Sequence, residues 1–316
     1  MASLWEQTWE QPAFPALEGE LSTDVLIIGG GMAGVLCTYF LHRAGVPYAL
    51  AEAKTLCSGI TRNTTAKITS QHGLIYDKLI RKFGVDRARQ YLSAQEAALQ
   101  KYRELCQTVD CGFEEKDAYV YSMDDRQKIE RELNALEKLG FPGEFAGQLP
   151  LPFPVAGAVK FPRQAQFHPL KFVSAIAEGL HIYEHTAVRE LAGTTASTDH
   201  GKIRAKTIIV TTHFPFLNKY GSYFLKLYQH RSYVLALESA PDVGGMYVDE
   251  SRTGLSFRNY GNLLLVGGGG HRTGKQGGGW RELRAFAGRH YPHAAEKFHW
   301  ATQDCMSLDG VPYIGP

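Results

Sequence analysis

One stretch constrains this chain more than any other. It is Thr23-Asp-Val-Leu-Ile-Ile-Gly-Gly-Gly-Met-Ala-Gly34, followed by a second apolar run that ends on Glu52. Val25 to Ile28 is a short β-branched run suited to a buried parallel strand. Gly29, Gly31 and Gly34 fall on the pattern G-x-G-x-x-G. The first glycine permits a tight turn, the second lets a pyrophosphate approach the backbone, and the third lets a helix pack close to the sheet. The helix that follows carries Val35, Leu36, Tyr39 and Phe40 on one face and stops near Gly45. Tyr48 to Ala51 reads as the next strand. Glu52 lies 18 residues beyond Gly34, near the separation expected of an acid that holds a ribose hydroxyl pair. Free N–H groups and the dipole at the helix N-terminus would face the phosphates. The order strand, turn, helix, strand, acid predicts a dinucleotide site. Repulsion between Glu52 and a 2′-phosphate argues against NADP there.

Composition excludes several function classes. Lys plus Arg number 34 and Asp plus Glu 32 in 316 residues, so no basic excess points to nucleic acid. A chain of this length predicts about two domains. The cysteines, Cys37, Cys57, Cys106, Cys111 and Cys305, are odd in number and lack C-x-x-C spacing. That fits a reducing, cytoplasmic compartment and idle thiols, although Cys106 and Cys111 are close enough in sequence to pair. No histidine or cysteine spacing predicts a metal site. No signal peptide is visible. The most apolar window, Leu21 to Leu41, contains Asp24 and the glycine motif, which explains it better than a membrane span does. Residues 1–20 read as an extended arm over the surface.

Further along, residues 54–70 form a loop dense in hydroxyls and amides, able to donate to a pyrophosphate or to cap the next helix. Val85 to Cys106 has helical spacing. Asp124 and Asp125 are placed to cap a helix over 126–139 that ends at Gly140. Pro169 opens a helix predicted to run to Leu180. Thr207 to Thr211 reads as a buried parallel strand rejoining the first sheet. From Gln229 the pattern turns antiparallel, with short strands at 233–237, 245–248, 255–258 and 263–266. A helix is predicted over 280–291.

These residues resemble a known family. Asp24 to Glu52, the loop Ser58-Gly-Ile-Thr-Arg-Asn-Thr-Thr-Ala66, Val188 in Thr-Ala-Val-Arg-Glu-Leu, and Leu308-Asp-Gly-Val-Pro-Tyr-Ile-Gly-Pro316 are together similar to the FAD-dependent D-amino acid oxidase superfamily. That group includes glycine, sarcosine and gamma-glutamylputrescine oxidases. Thr-Thr-Ala-Lys and Trp300-Ala-Thr-Gln-Asp304 look most like a bacterial branch whose members often carry a C-terminal Rieske iron–sulfur domain. The resemblance implies an α/β fold with an α+β insert: a Rossmann-like FAD-binding domain (residues 1–80, 162–222 and 296–316) and a discontinuous antiparallel-sheet substrate or cap domain (81–161 and 223–295).

It also implies FAD as cofactor and oxidation of a C–N bond of an amine or amino acid by hydride transfer. Gly29, Gly31, Met32, Ala33 and Gly34 would meet the pyrophosphate. Glu52, with Ala53 and Lys54, would hold the adenosine ribose. Ser58, Thr64, Thr65 and Ala66 would lie along the pyrophosphate and flavin. Val188 would pair with adenine through its backbone, Thr211 and Thr212 would lie near the adenosine half, and Asp309 would approach the isoalloxazine. Members normally continue past Pro316 into a glycine-rich turn and a last helix, and the paired C-x-H and C-x-x-H ligands of a Rieske cluster are absent from this chain. Alternatives are a flavin domain that passes electrons to an iron–sulfur protein partner, a noncatalytic domain of the same fold, and a nicotinamide dehydrogenase.

For the chemistry itself, Arg258 is the candidate fork for a substrate carboxylate, with a solvated edge arginine as its bland counterpart. His72 is the candidate to act on flavin charge or as a base, against a purely structural histidine. Lys67 either supplies charge near a reduced flavin or is a surface lysine. Tyr247 and Tyr260 line a pocket or pack a core. His271 enters a site from a loop or faces solvent.

Overall fold

The computed structural model describes residues 2–216, 222–251 and 254–315. In chain order they form α1 (Leu4–Thr8), β1 (Gly19–Ile28), α2 (Met32–Arg43), β2 (Tyr48–Ala51), β3 (Lys67–Ile68), α3 (Tyr76–Phe83), α4 (Val85–Cys106) and β4 (Glu114–Ser122). Next come α5 (Arg126–Leu139), β5 (Glu144–Ala146), β6 (Gly157–Gln166), α6 (Pro169–Ala177), β7 (Ile182–Tyr183), β8 (Val188–Ala192), β9 (Thr195–Thr198) and β10 (Gly201–Val210). The last are β11 (Leu227–Glu238), β12 (Met246–Asp249), β13 (Ser256–Tyr260), β14 (Leu263–Arg272), α7 (Gly279–His290) and β15 (Ala295–Ser307). This is the expected mixed α/β architecture.

Two compact units result. Unit 1 comprises Met1–Leu4, Thr65–His168 and His230–Thr302; unit 2 comprises Trp5–Thr64, Pro169–Gln229 and Gln303–Pro316.

Unit 2 holds a six-stranded sheet in the order β7-β2-β1-β10-β9-β8. β1 pairs in parallel with β2, from Val25↔Tyr48 to Ile28↔Ala51, and with β10, from Gly19↔Gly201 to Ile28↔Val210. Parallel strands need both faces covered, and Leu26, Ile27, Ala49 and Leu50 are accordingly fully buried. Leu17, Ile28, Ala51, Ala196, Ile203 and Ala205 make one core cluster of this sheet. The expected face of α2 is partly corrected. Val35 is buried and Phe40 is exposed, while Thr38 is buried with its hydroxyl donating to Gly34 O at 2.8 Å.

A second correction concerns the N-terminus. Residues 4–8 are helical, not an extended surface arm, and Trp5 is fully buried with its indole N–H donating to Thr64 O at 2.7 Å. A large apolar ring together with a satisfied N–H accounts for this anchoring.

The other sheet has nine strands, in the order β15-β11-β14-β13-β12-β4-β6-β3 with β5 added on β6. Its antiparallel pairs include β11 with β14, β13 with β14, and β4 with β6; β12 with β4 is parallel. In unit 1, α7 lays Leu283 and Ala287 on a core that includes Tyr121, Leu235, Tyr247, Phe257, Leu264 and Val266. Asp125 caps α5 by accepting from Lys128 N at 3.0 Å, and Gly140 closes it in the left-handed conformation. Helix α3 is capped from outside the loop that precedes it. Its N-terminal amides of Tyr76 and Asp77 donate to the buried Glu132 carboxylate at 2.8 and 2.9 Å, a cap supplied by α5 from 56 and 55 residues away and invisible to local pattern reading.

Candidate functional site

In unit 2 the glycine turn has the geometry its spacing demands. Gly29 has φ +108, a region that excludes ordinary side chains, and a Cβ there would lie 3.1 Å from Thr211 C. A Cβ on Gly34 would lie 1.9 Å from Gly29 O, so only glycine lets α2 start this close to β1. A Cβ on Gly31 meets only Thr61 Oγ1, at 3.6 Å, which leaves the N-terminus of α2 approachable. Gly31 is the N-cap residue of α2, and the first helical amide, Met32 N, donates to Thr61 Oγ1 at 3.1 Å.

Glu52 closes over this turn. Its Oε2 accepts from Gly30 N at 2.6 Å and its Oε1 from Lys54 N at 2.9 Å. An ionised carboxylate offers about four lone-pair sites, so two remain for a pair of hydroxyls. The loop after β2 is tied to the same turn by Cys57 N donating to Gly30 O at 2.8 Å. Burial pushes the Cys57 thiol up to about 12, which keeps it protonated and inert. The segment before Val188 is tied to Glu52 as well, since Thr186 N donates to Glu52 O and His185 N to Lys54 O, both at 2.8 Å.

The remaining expected contacts of unit 2 divide by environment. Thr211 staples the end of β10 to the turn. Its N donates to Ile28 O at 2.9 Å, and its hydroxyl lies 3.0 Å from Ile28 O and 2.9 Å from Gly29 O. The Thr212 hydroxyl oxygen, in contrast, is buried with no hydrogen-bond partner among the described residues. Ser58 is half-buried, Ala53 and Lys54 are exposed, and the Thr64 carbonyl is taken by Trp5. Asp309 accepts from Val311 N at 3.2 Å in a local turn.

A dinucleotide with a pyrophosphate and a ribose diol fits these residues on three counts. There is an approachable helix N-terminus at Gly31, a carboxylate with spare acceptors at Glu52, and an orphaned buried hydroxyl at Thr212.

Unit 1 gathers the cationic candidates. Ala66 is a non-glycine residue at φ +55, and its carbonyl accepts from Arg258 Nη1 at 2.7 Å and from Phe167 N at 3.4 Å. Arg258 on β13 is wholly buried, not a solvated edge arginine, and its guanidinium lies over the Tyr260 ring at 5.7 Å. Burial lowers it to about 9. Lys67, next to Ala66 on β3, is half-buried and not a surface lysine. Burial first, and the Arg258 charge second, lower it to about 7. A positive centre therefore sits in low dielectric, where an anion would be held strongly.

The other candidates of unit 1 spread out. His72 is exposed. Tyr247 is buried, donates to Val243 O at 2.8 Å and stacks on Tyr119 at 4.8 Å, a packing role. His271 lies on β14 and not in a solvent-facing loop. Its Nδ1 lies 3.0 Å from Arg272 O, a group that can only accept, so Nε2 is the acceptor for the Tyr233 hydroxyl at 3.0 Å.

Comparison with known proteins bears on the same residues. A family model described as FAD dependent oxidoreductase, DAO, matches residues 24–316. The chain belongs to the DAO family of FAD dependent oxidoreductases. FAD is the cofactor of this family, and the glycine turn of this DAO chain fits it.

The relative described as "Putative Rieske 2Fe-2S iron-sulfur protein YhfW" of Bacillus subtilis (strain 168) is 34% identical over 99% of this chain and 65% of its own length. Gamma-glutamylputrescine oxidoreductase of Escherichia coli (strain K12) is 24% identical over 62% of this chain and 50% of its own length. The DAO chain thus spans between half and two thirds of these relatives. Among solved structures, glycine oxidase from Geobacillus kaustophilus superposes with TM-score 0.70 at 19% identity, covering 93% of this chain and 86% of that one. L-proline dehydrogenase from P. horikoshii superposes with TM-score 0.75 at 15% identity, covering 95% and 85%. Both share the DAO fold.

Sequence reasoning missed two residues that build the site. Thr61 sits inside the quoted hydroxyl loop, yet nothing local singles it out as the acceptor for the α2 amide. Buried Glu184 accepts from Leu56 N at 2.5 Å and Phe14 N at 3.1 Å, organising the loop behind Glu52 from 128 residues away.

Proposed function

We propose that this chain is the flavin-bearing part of an oxidoreductase that oxidises the C–N bond of a small amine or amino acid. The observation that carries the reading is the Glu52 carboxylate seated on Gly30 N at 2.6 Å, beside a helix N-terminus that Gly31 leaves approachable. When bound, FAD supplies the two-electron acceptor to which the carbon of the C–N bond gives up a hydride.

The chain's own residues do the positioning. Gly31, Ala33 and Gly34 present their backbone to the pyrophosphate, Gly29 and Met32 shape the turn and helix start against which it lies, and Glu52, with Ala53 and Lys54, orients the ribose. Ser58, Thr64, Thr65 and Ala66 line the path of the cofactor, Thr211 and Thr212 serve the adenosine half, Val188 serves adenine through its backbone, and Asp309 serves the flavin end. In this reading residues 1–80, 162–222 and 296–316 serve the cofactor and 81–161 and 223–295 the substrate. The buried Arg258 guanidinium, joined by Lys67 when that group is protonated, draws a substrate carboxylate, and His72 is the group available to take a proton. A cytoplasmic location accords with five free cysteines. No helix among the described residues is long and apolar enough to cross a membrane.

The test is anaerobic titration of the flavin-loaded protein with a panel of amines and amino acids. Bleaching of the flavin absorption by one class supports the reading; a protein that takes up no FAD overturns it. A second reading, in which electrons pass to an iron–sulfur partner, is supported by the iron–sulfur description of the 34% identical relative. Slow recovery of the bleached flavin in air, with fast recovery on adding a one-electron acceptor, selects it over an oxidase.

A further inference from the structure

Cys106 ends α4 and Cys111 precedes β4, and between them runs the four-residue turn 107–110. The two Sγ atoms lie 3.5 Å apart and both side chains are buried, Cys111 completely. The turn is drawn tight by Cys111 N donating to Val109 O at 2.9 Å, and its far end is held by His168 N donating to Cys111 O at 2.7 Å. A disulfide has S–S of ~2.05 Å, so closure needs a sulfur approach of about 1.5 Å. Gln107, Thr108 and Asp110 are exposed and can supply that movement without disturbing the core. A metal does not explain the pair, because no group of three or more ligating side chains occurs among the described residues.

We infer that Cys106 and Cys111 form a redox couple, a dithiol that closes reversibly to an intramolecular disulfide when a small-molecule disulfide is the oxidant. This inference rests on the cysteine geometry and stands apart from the flavin reaction.

The chemistry is thiol–disulfide exchange. The Cys111 thiol is held below its ordinary value, first by the Cys106 S–H and then by the amide of Phe113, while Cys106 is held above its own by the same contact. Whichever of the two sulfurs loses its proton first is the attacking group. It displaces one thiolate from the oxidant and forms a mixed disulfide. The other cysteine then loses its proton and attacks the sulfur of the first, and the second small thiolate leaves. Two protein thiols and one small disulfide become one protein disulfide and two small thiols.

The event has a neighbour to report to. A Cβ on Gly112, one residue after Cys111, would stand 3.5 Å from the Tyr260 hydroxyl, and the Arg258 guanidinium lies over the Tyr260 ring. Closure therefore acts on backbone that lies close to Tyr260.

The test uses the full chain equilibrated in buffers of graded reduced-to-oxidised glutathione ratio, quenched in acid, alkylated and cut with trypsin. Cleavage after Arg103 and Lys116 puts both cysteines in one peptide. The expected result is conversion from a doubly alkylated peptide to an unalkylated one lighter by two hydrogens, following a two-electron titration and reversed by dithiothreitol. In Cys106→Ser the expected product is a mixed glutathione disulfide on Cys111. The inference is overturned if the native chain stays doubly alkylated across the series while the urea-unfolded chain oxidises. It is also overturned if the unsubstituted chain ends as a stable glutathione adduct. Both readouts come from the unsubstituted chain, so poor folding of a variant does not blunt them.

Discussion

Gly30 N donates to Glu52 Oε2 across 2.6 Å, joining the turn after the first strand of the parallel sheet to the acid after the second. The bond satisfies an amide in the tightest part of the turn and fixes the carboxylate beside it; in the proposed function that carboxylate meets the ribose. Removing the charge while keeping an acceptor, with Glu52→Gln, should weaken FAD binding about tenfold or more, since hydrogen bonds to charged groups contribute ~1.5–3 kcal/mol. Fluorescence titration with FAD measures it, and an unchanged dissociation constant would remove Glu52 from the site.

Two glycine substitutions separate folding from cofactor binding. Gly34→Ala places a Cβ at 1.9 Å from Gly29 O, so α2 must shift. A loss of stability of ~1–3 kcal/mol or more is expected, read as a lowered melting temperature with or without FAD. Gly31→Ala makes an ordinary van der Waals contact with Thr61 Oγ1 at 3.6 Å and has φ −82, which alanine accepts. It should melt near the parent's temperature without cofactor yet bind FAD at least tenfold more weakly. Equal effects in both variants would contradict the assignment of Gly31 to the phosphate approach.

Lys67 sets a pH dependence whose sign can be worked out. Its folded value is lowered from 10.5 to about 7. Between those values the unfolded chain holds a proton that the folded chain has released. Stability from this group therefore rises with pH across roughly 7 to 10.5, and below that window the cost of burying the cation is felt in full. Lys67→Met should accordingly stabilise the protein by about 1–3 kcal/mol more at pH 6 than at pH 10. Urea unfolding at the two pH values decides it; a difference of the opposite sign would mean Lys67 is charged and paired at neutral pH.

Trp5 gives a stability prediction for a segment that looked expendable. Full burial and the bond to Thr64 O mean that Trp5→Ala should cost ~3–5 kcal/mol. Trp5→Phe, which keeps most of the packing and loses the donor, should cost about 1 kcal/mol. Thermal melts of both variants would expose a decorative arm if neither moved.

What could be read in advance follows from how local the physics is. The glycine turn, the β1 and β10 strands, α4 and the capped α5 each carry their signal within a few residues, as period, cap or breaker. The DAO resemblance added the family, its mixed α/β fold and FAD. The failures were long-range. Residues 1–20 lack periodicity, so only the tertiary socket around Trp5 reveals α1. Thr61 and Glu184 satisfy amides far away in sequence, and neither residue type announces such a role. Lys67 and Arg258 stayed open between a site and the surface, because nothing nearby in the chain signals that β3 and β13 bring them inward.

The register of β1 on β10, ending at Ile28↔Val210, has a consequence for biosynthesis. One edge of β1 must wait until residue 210 has left the ribosome, long after α2 and β2 have emerged. An amino-terminal piece cut after Glu52 should consequently stay insoluble or molten when expressed alone, however complete its glycine fingerprint looks on paper.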